Sequence, residues 1–265
     1  MSRNRTTASS SSSSFSSEIP SPSISTNYED NTIKFHFKTH GLITIIQLIF
    51  STLCLFYIPQ QNLLKDPVES LKSTNLLLFF VQFIIETIRW LIYLYYDSSN
   101  SGYETRKNSK VFLINFVKNK GQNFIVALLL TAFAVFVLHI VAILFGASLI
   151  HNAQKTLMFA VYVSLLGIFP PAVAFKNHTP YWSRVFSDFC PETIPEKMVY
   201  YPTVGTIIGA WAGAIVIPLD WDRPWQEWPI SCVISAYIGH VIGSIIALIV
   251  CYFNPESSTL QKKRE

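Results

Sequence analysis

The sequence is poor in charge. Only 14% of its 265 residues are Asp, Glu, Lys or Arg, against roughly 25% in a soluble globular domain. Long stretches hold no charge at all, which excludes an ordinary water-soluble enzyme and a disordered chain. The four cysteines, Cys54, Cys190, Cys232 and Cys251, show neither metal-type spacing nor a disulfide framework. Three of them sit inside apolar runs, as small buried hydrophobes do. There is no phosphate-cradling glycine loop and no G-x-S-x-G elbow. His139 and His240 lie in apolar runs with no carboxylate or second His at i+3 or i+4, so each reads as a hydrogen-bonding partner for a neighbouring helix. The net charge of +4 comes with no basic face broad enough for nucleic acid. No metal or other cofactor is expected.

What the chain does have is apolar length. Six segments, 41–58, 76–96, 124–150, 156–175, 201–219 and 229–253, are each long enough for a bilayer core that takes about 20 helical residues. In lipid the backbone must satisfy its own hydrogen bonds, so each segment is predicted to be an α-helix. A soluble bundle needs a polar stripe on every helix, and the first, fourth and fifth segments carry no charge. The fold class is therefore an all-α, polytopic membrane protein with about six transmembrane helices. Ahead of them, residues 1–40 form a tail with serine at 9–14, 16 and 17 and with Pro20 and Pro22, which reads as disordered and lacks the apolar region of a signal peptide.

Lysine and arginine set the orientation. Arg3, Arg5, Lys34 and Lys38 precede the first segment, and Arg106, Lys107, Lys110, Lys118 and Lys120 follow the second. Lys176, Arg184 and Lys197 follow the fourth, and Lys262, Lys263 and Arg264 lie in the tail 254–265. The opposite side receives only Lys65, Lys72, Lys155 and Arg223. Both termini are thus expected in the cytosol. Lys262 and Lys263 then resemble a dilysine retrieval signal, which implies the endoplasmic reticulum. The sequons at Asn4 and Asn177 fall on cytosolic segments and should carry no glycan.

Three features stand out within this frame. Glu86 and Arg89 share a face of the second segment, as an ion pair inside the bundle or a contact with a partner's helix. Gly205, Gly209 and Gly213 on the fifth segment, and Ser235, Gly239 and Gly243 on the sixth, repeat every fourth residue. Such strips let helix backbones approach, here as a tight hairpin with part of the strip available to dock a partner. Between them runs Asp220-Trp221-Asp222-Arg223-Pro224-Trp225-Gln226, followed after Glu227 by Trp228. The tryptophans suit the membrane interface, and the acidic side chains can pair locally with Arg223. The loop is a candidate contact for a partner or a lipid head group. As a catalytic pair, Asp220 and Asp222 lack a His or an activated nucleophile nearby.

The stretch from Gly209-Ala210-Trp211-Ala212-Gly213 through Ile217-Pro218-Leu219-Asp220-Trp221-Asp222-Arg223-Pro224-Trp225-Gln226 to Trp228-Pro229 resembles the signature of the PIG-F family, the class F proteins of glycosylphosphatidylinositol (GPI) anchor biosynthesis. The likeness is specific over about 199–245 and extends upstream to Gly167-Ile168-Phe169-Pro170-Pro171. It implies a multi-pass endoplasmic-reticulum protein, without catalytic residues, that stabilises two alternative GPI ethanolamine phosphate transferases. Those enzymes add ethanolamine phosphate to mannoses of the GPI precursor on the lumenal side. Independently, neither the stretch between Ile58 and Leu76 nor the Asp220 loop is long enough to fold a two-metal site. The rival readings are a membrane lipid phosphatase or phosphotransferase acting at Asp220 and Asp222, and a GPI-precursor transporter using Glu86, Arg89, His139 and His240.

Overall fold

The computed structural model describes residues 23–57, 63–100, 109–148, 150–175, 178–219 and 221–253. The helices are α1 (Ser23–Phe56), α2 (Pro67–Asn100), α3 (Ser109–Leu144), α4 (Ala153–Val163), α5 (Phe169–Phe175), α6 (Thr179–Trp182), α7 (Ile194–Ile215) and α8 (Ile230–Phe253). A π-helical turn, Ser164–Ile168, joins α4 to α5 without interrupting the rod. Among the described residues, five spans are long and apolar enough to cross a membrane: Lys38–Phe56, Pro67–Ile92, Gly121–Leu144, Ala153–Phe175 and Ile230–Phe253.

Segment 201–219 was expected as a sixth span. It is helical within α7 but is not among those five. Tyr200, Tyr201, Pro202, Thr203, Thr206 and the three glycines dilute its apolarity, and these small and polar residues are the ones that pack against other helices. The other boundaries also differ. Helix α1 begins at Ser23, inside the tail expected to be disordered, because an apolar helix once nucleated propagates into its polar flank at little cost. Helix α2 starts before residue 76 because the Asp66 carboxylate accepts from the backbone N–H groups of Val68 (3.1 Å) and Glu69 (3.2 Å), with Pro67 at the first helical position. Helix α3 stops short of residue 150. Gly146 takes a φ of +106°, its N–H donates to the Ile143 carbonyl, and the Ala147 N–H donates to that of Ala142. Helix α7 starts at a capping box built by Thr193 and Glu196.

The α4–α5 rod is the axis of the bundle. Its span is 72% buried, against 11% for that of α3. Pro170 and Pro171 lack N–H groups, so the carbonyls of Leu166 and Gly167 lose their usual donors. Thr203 of α7 makes good one loss, its hydroxyl donating to the Gly167 carbonyl at 2.7 Å. The interior differs at its two ends. Toward the α7–α8 connection it is apolar, built from Leu55, Leu71, Leu78, Phe159, Tyr162, Leu166, Ile230 and Val233. Toward the opposite end, Thr44, Gln47, Gln82, Glu86, Thr203, His240 and Ser244 are buried.

Candidate functional site

Among the described residues, helices α7 and α8 make the most extensive helix pairing. Gly205 faces Gly239, Gly209 faces Ser235, Gly213 faces Ser231 and Cys232, and Gly243 faces Tyr201. This is one antiparallel register in which every fourth residue is small on both sides. A Cβ on Gly213 would come within 2.6 Å of the Cys232 Cα, and one on Gly205, Gly209, Gly239 or Gly243 would come closer still, within 2.2 Å of an opposing backbone carbonyl oxygen. The glycine strip is therefore consumed inside the chain. The expectation that part of it docks a partner is corrected, because no second helix can approach a face already in backbone contact. The outer faces of the hairpin stay apolar and exposed, with Ile208, Trp211 and Ile215 on α7 and Ile238, Ile242 and Ile249 on α8.

The hairpin is closed by a loop that Gln226 organises. Its side-chain amide donates to the Val216 (2.9 Å) and Leu219 (2.8 Å) carbonyls, in the turn just beyond α7. Its side-chain oxygen accepts from the Arg223 N–H at 2.9 Å. Trp228 ties the loop to α4, its indole N–H donating to the Thr156 hydroxyl at 3.1 Å and its ring meeting Phe159 edge-on at 5.1 Å. Lys155 and Glu227 add an ion pair at 2.5 Å. Trp221 and Trp225 stand close, with ring centroids 5.9 Å apart, and are 56% and 37% exposed.

Asp222 and Arg223 do not form the local pair expected from their adjacency. Asp222 sits at φ +47°, and Arg223 is extended at φ −104°, ψ 139°. Both residues line an open cavity of about 570 Å³ together with Ile217, Leu219, Pro224, Gln226 and Glu227. Asp220, at one edge of this loop, lies outside the described residues, as do Lys262, Lys263 and Asn177. No group of three His, Cys, Asp or Glu side chains gathers in metal-binding geometry among the described residues.

The second polar centre lies in the opposite half of the bundle. Arg89 pairs with Glu86 at 3.2 Å and donates to the Gln47 side-chain oxygen at 2.9 Å, and Gln47 donates in turn to Gln82 at 3.1 Å. The two charges thus meet inside the chain, and α1 supplies the third member. His240 meets the Thr206 hydroxyl through Nδ1 at 3.0 Å, bridging α8 to α7, whereas the buried Nδ1 of His139 has no hydrogen-bond partner among the described residues. A cavity of about 10 Å³, room for a single water, lies among Arg89, Gln47, Thr203, His240 and Ser244. Sequence reasoning had not singled out Gln47, Gln82, Thr203 or Glu227. Polar residues inside apolar runs were the available signal for the first three.

With this geometry in place, comparison with known proteins is informative. Residues 46–248 match the model of the GPI biosynthesis protein family Pig-F. A human protein named "GPI ethanolamine phosphate transferase, stabilizing subunit" is 30% identical over 231 residues, 87% of this chain and 98% of that protein. A mouse protein of the same name is 40% identical over 124 residues, 47% of this chain and 57% of its own length. A Yarrowia lipolytica protein named "Glycosylphosphatidylinositol anchor biosynthesis protein 11" is 42% identical over 103 residues, 39% of this chain and 44% of that protein. No solved structure matches.

Proposed function

The chain belongs to the Pig-F family of GPI biosynthesis proteins, and from that premise we propose that it is a non-catalytic stabilising subunit of GPI ethanolamine phosphate transferases in the endoplasmic-reticulum membrane. The observation that carries this reading is the match along 98% of the human stabilizing subunit. The shortness of the connections between helices supports a helper rather than an enzyme, since a two-metal transferase centre needs a folded domain to hold it. Two alternative catalytic subunits are the proposed partners.

In the proposed arrangement α7 is the sixth span. It lies along α8, which is long and apolar enough to cross a bilayer, and its outer face presents Ile208, Trp211 and Ile215. Six spans put both termini in the cytosol and the Trp221–Trp228 loop at the lumenal surface, in agreement with the lysine and arginine asymmetry. The transferase's membrane domain docks on the outer face of the α7–α8 hairpin. The test is affinity purification of the full chain in mild detergent with identification of its stable partner. Recovery of a GPI ethanolamine phosphate transferase is expected. A chain recovered alone, or with an unrelated complex, would overturn the proposal, as would phosphoryl transfer by the isolated chain.

A further inference from the structure

The loop that closes the α7–α8 hairpin contains more than the helper role requires. Its cavity of about 570 Å³ has room for a small polar group, and Asp222 and Arg223 both line it. Neither of these side chains forms an ion pair among the described residues. A third charge on the wall, Glu227, is already matched by Lys155. Among the described residues, the cavity wall thus carries a cation and an anion without an ion-pair partner, side by side in sequence yet not paired with each other.

The backbone beneath them is fixed. Gln226 holds the Arg223 N–H and the end of α7, and Pro224 has a fixed φ and restricts Arg223 before it. Asp222 is held in the left-handed region, a conformation that costs free energy and persists where its surroundings enforce it. Trp221 and Trp225 stand exposed on the same loop, as aromatic rings do at head-group depth.

A ligand complementary to such a wall carries both signs. Arginine presents a planar fork that fits a phosphate. A carboxylate accepts hydrogen bonds from a primary ammonium. An ethanolamine phosphate group joins these two charges through two carbons, and it is the group that the human relative's name gives to the transferase it stabilises. A purely anionic head group would leave Asp222 opposing it. A choline head group has no N–H to donate, and the tryptophan faces that suit such a cation are not part of the cavity wall.

We propose that this cavity binds an ethanolamine phosphate group, with Arg223 on the phosphate and Asp222 on the ammonium. The proposal rests on the stabilising-subunit reading, because that reading places the loop at the lumenal surface where such groups are transferred. Two molecules present the same group there: a phosphatidylethanolamine head group, and a mannose bearing ethanolamine phosphate.

The test uses the full chain purified in mild detergent. Short-chain phosphatidylethanolamine, phosphatidylcholine and phosphatidylglycerol are titrated separately, and retention is read by native mass spectrometry. A soluble methyl mannoside carrying ethanolamine phosphate is titrated in parallel. Phosphatidylethanolamine, the mannoside or both should bind at least about tenfold more tightly than the other two lipids, and the better-bound one identifies the source. Arg223→Gln and Asp222→Asn should each weaken that binding by about tenfold at unchanged thermal unfolding. Equal retention of all three lipids with no mannoside binding overturns the site. So does phosphatidylglycerol binding that falls in Arg223→Gln and is indifferent to Asp222→Asn. A wild-type chain that co-purifies with its transferase but binds neither ethanolamine phosphate probe overturns this site alone. A chain with no transferase partner overturns the function beneath it.

Discussion

Glu86 and Arg89 show what a single side chain costs inside this bundle. Their carboxylate and guanidinium lie 3.2 Å apart and largely buried, so each neutralises a charge that lipid and protein would otherwise reject. Glu86→Gln should destabilise the chain by about 3–5 kcal/mol, because Arg89 keeps its charge and loses its counterion. The double change Glu86→Gln with Arg89→Gln should recover part of the loss. Thermal unfolding in detergent checks both, and a single variant as stable as the parent would refute the pairing. Gln226 works differently, through three hydrogen bonds to the backbone. Gln226→Ala removes all three and should cost about 2–3 kcal/mol. Faster proteolysis around residues 219–224 would report it, and unaltered cleavage would count against the staple. The ion pair was legible in the sequence, because two charges three apart in an apolar helix share a face. Gln47 and Gln82 were not, because their partners come from separate helices and no local spacing encodes that meeting.

Among the elements, the α7–α8 seam was the most legible. Small residues every fourth place on consecutive segments pointed to a close hairpin, and the observed register sets the two strips face to face. Its consequence for mutation reverses a natural expectation. Gly209→Leu or Gly213→Leu reads from sequence as a way to detach a partner while leaving the chain folded. The structure places both glycines against the α8 backbone, so the chain itself should fail first. Even Gly209→Ala should lower stability measurably. Gly121→Ala on α3, where a Cβ would meet nothing within 4 Å, should raise it by roughly 0.5–1 kcal/mol, since alanine favours helix. Unfolding temperatures of the two variants should move in opposite directions, and movement in the same direction would contradict the seam. Helix ends were harder to read than helix existence. The apolar runs marked the lipid-facing lengths, whereas Asp66, Thr193 and Gly146 decided where α2, α7 and α3 stop and start. Those are capping signals in polar stretches, which hydropathy does not weigh.

For the whole molecule, sidedness is the property on which the function turns. Cys190 is the one exposed cysteine; Cys54, Cys232 and Cys251 are buried. On the proposed topology, with both termini in the cytosol, the connection bearing Cys190 faces the cytosol too. A membrane-impermeant maleimide should therefore modify one thiol per chain in intact microsomes, and Cys190→Ser should abolish the labelling. Labelling that requires detergent would invert the orientation and move the Trp221–Trp228 loop away from the lumen. The near-parity of α7 also bears on how the protein is made. Taken alone, α7 is not among the helices long and apolar enough to span, and its glycines expose backbone until α8 covers them. On the proposed topology, a ribosome that has released only α7 has therefore not yet given the translocon a segment that will stay in lipid. The last two spans enter as one folded unit, and a nascent chain cut at residue 228 should leave its final helix outside the bilayer.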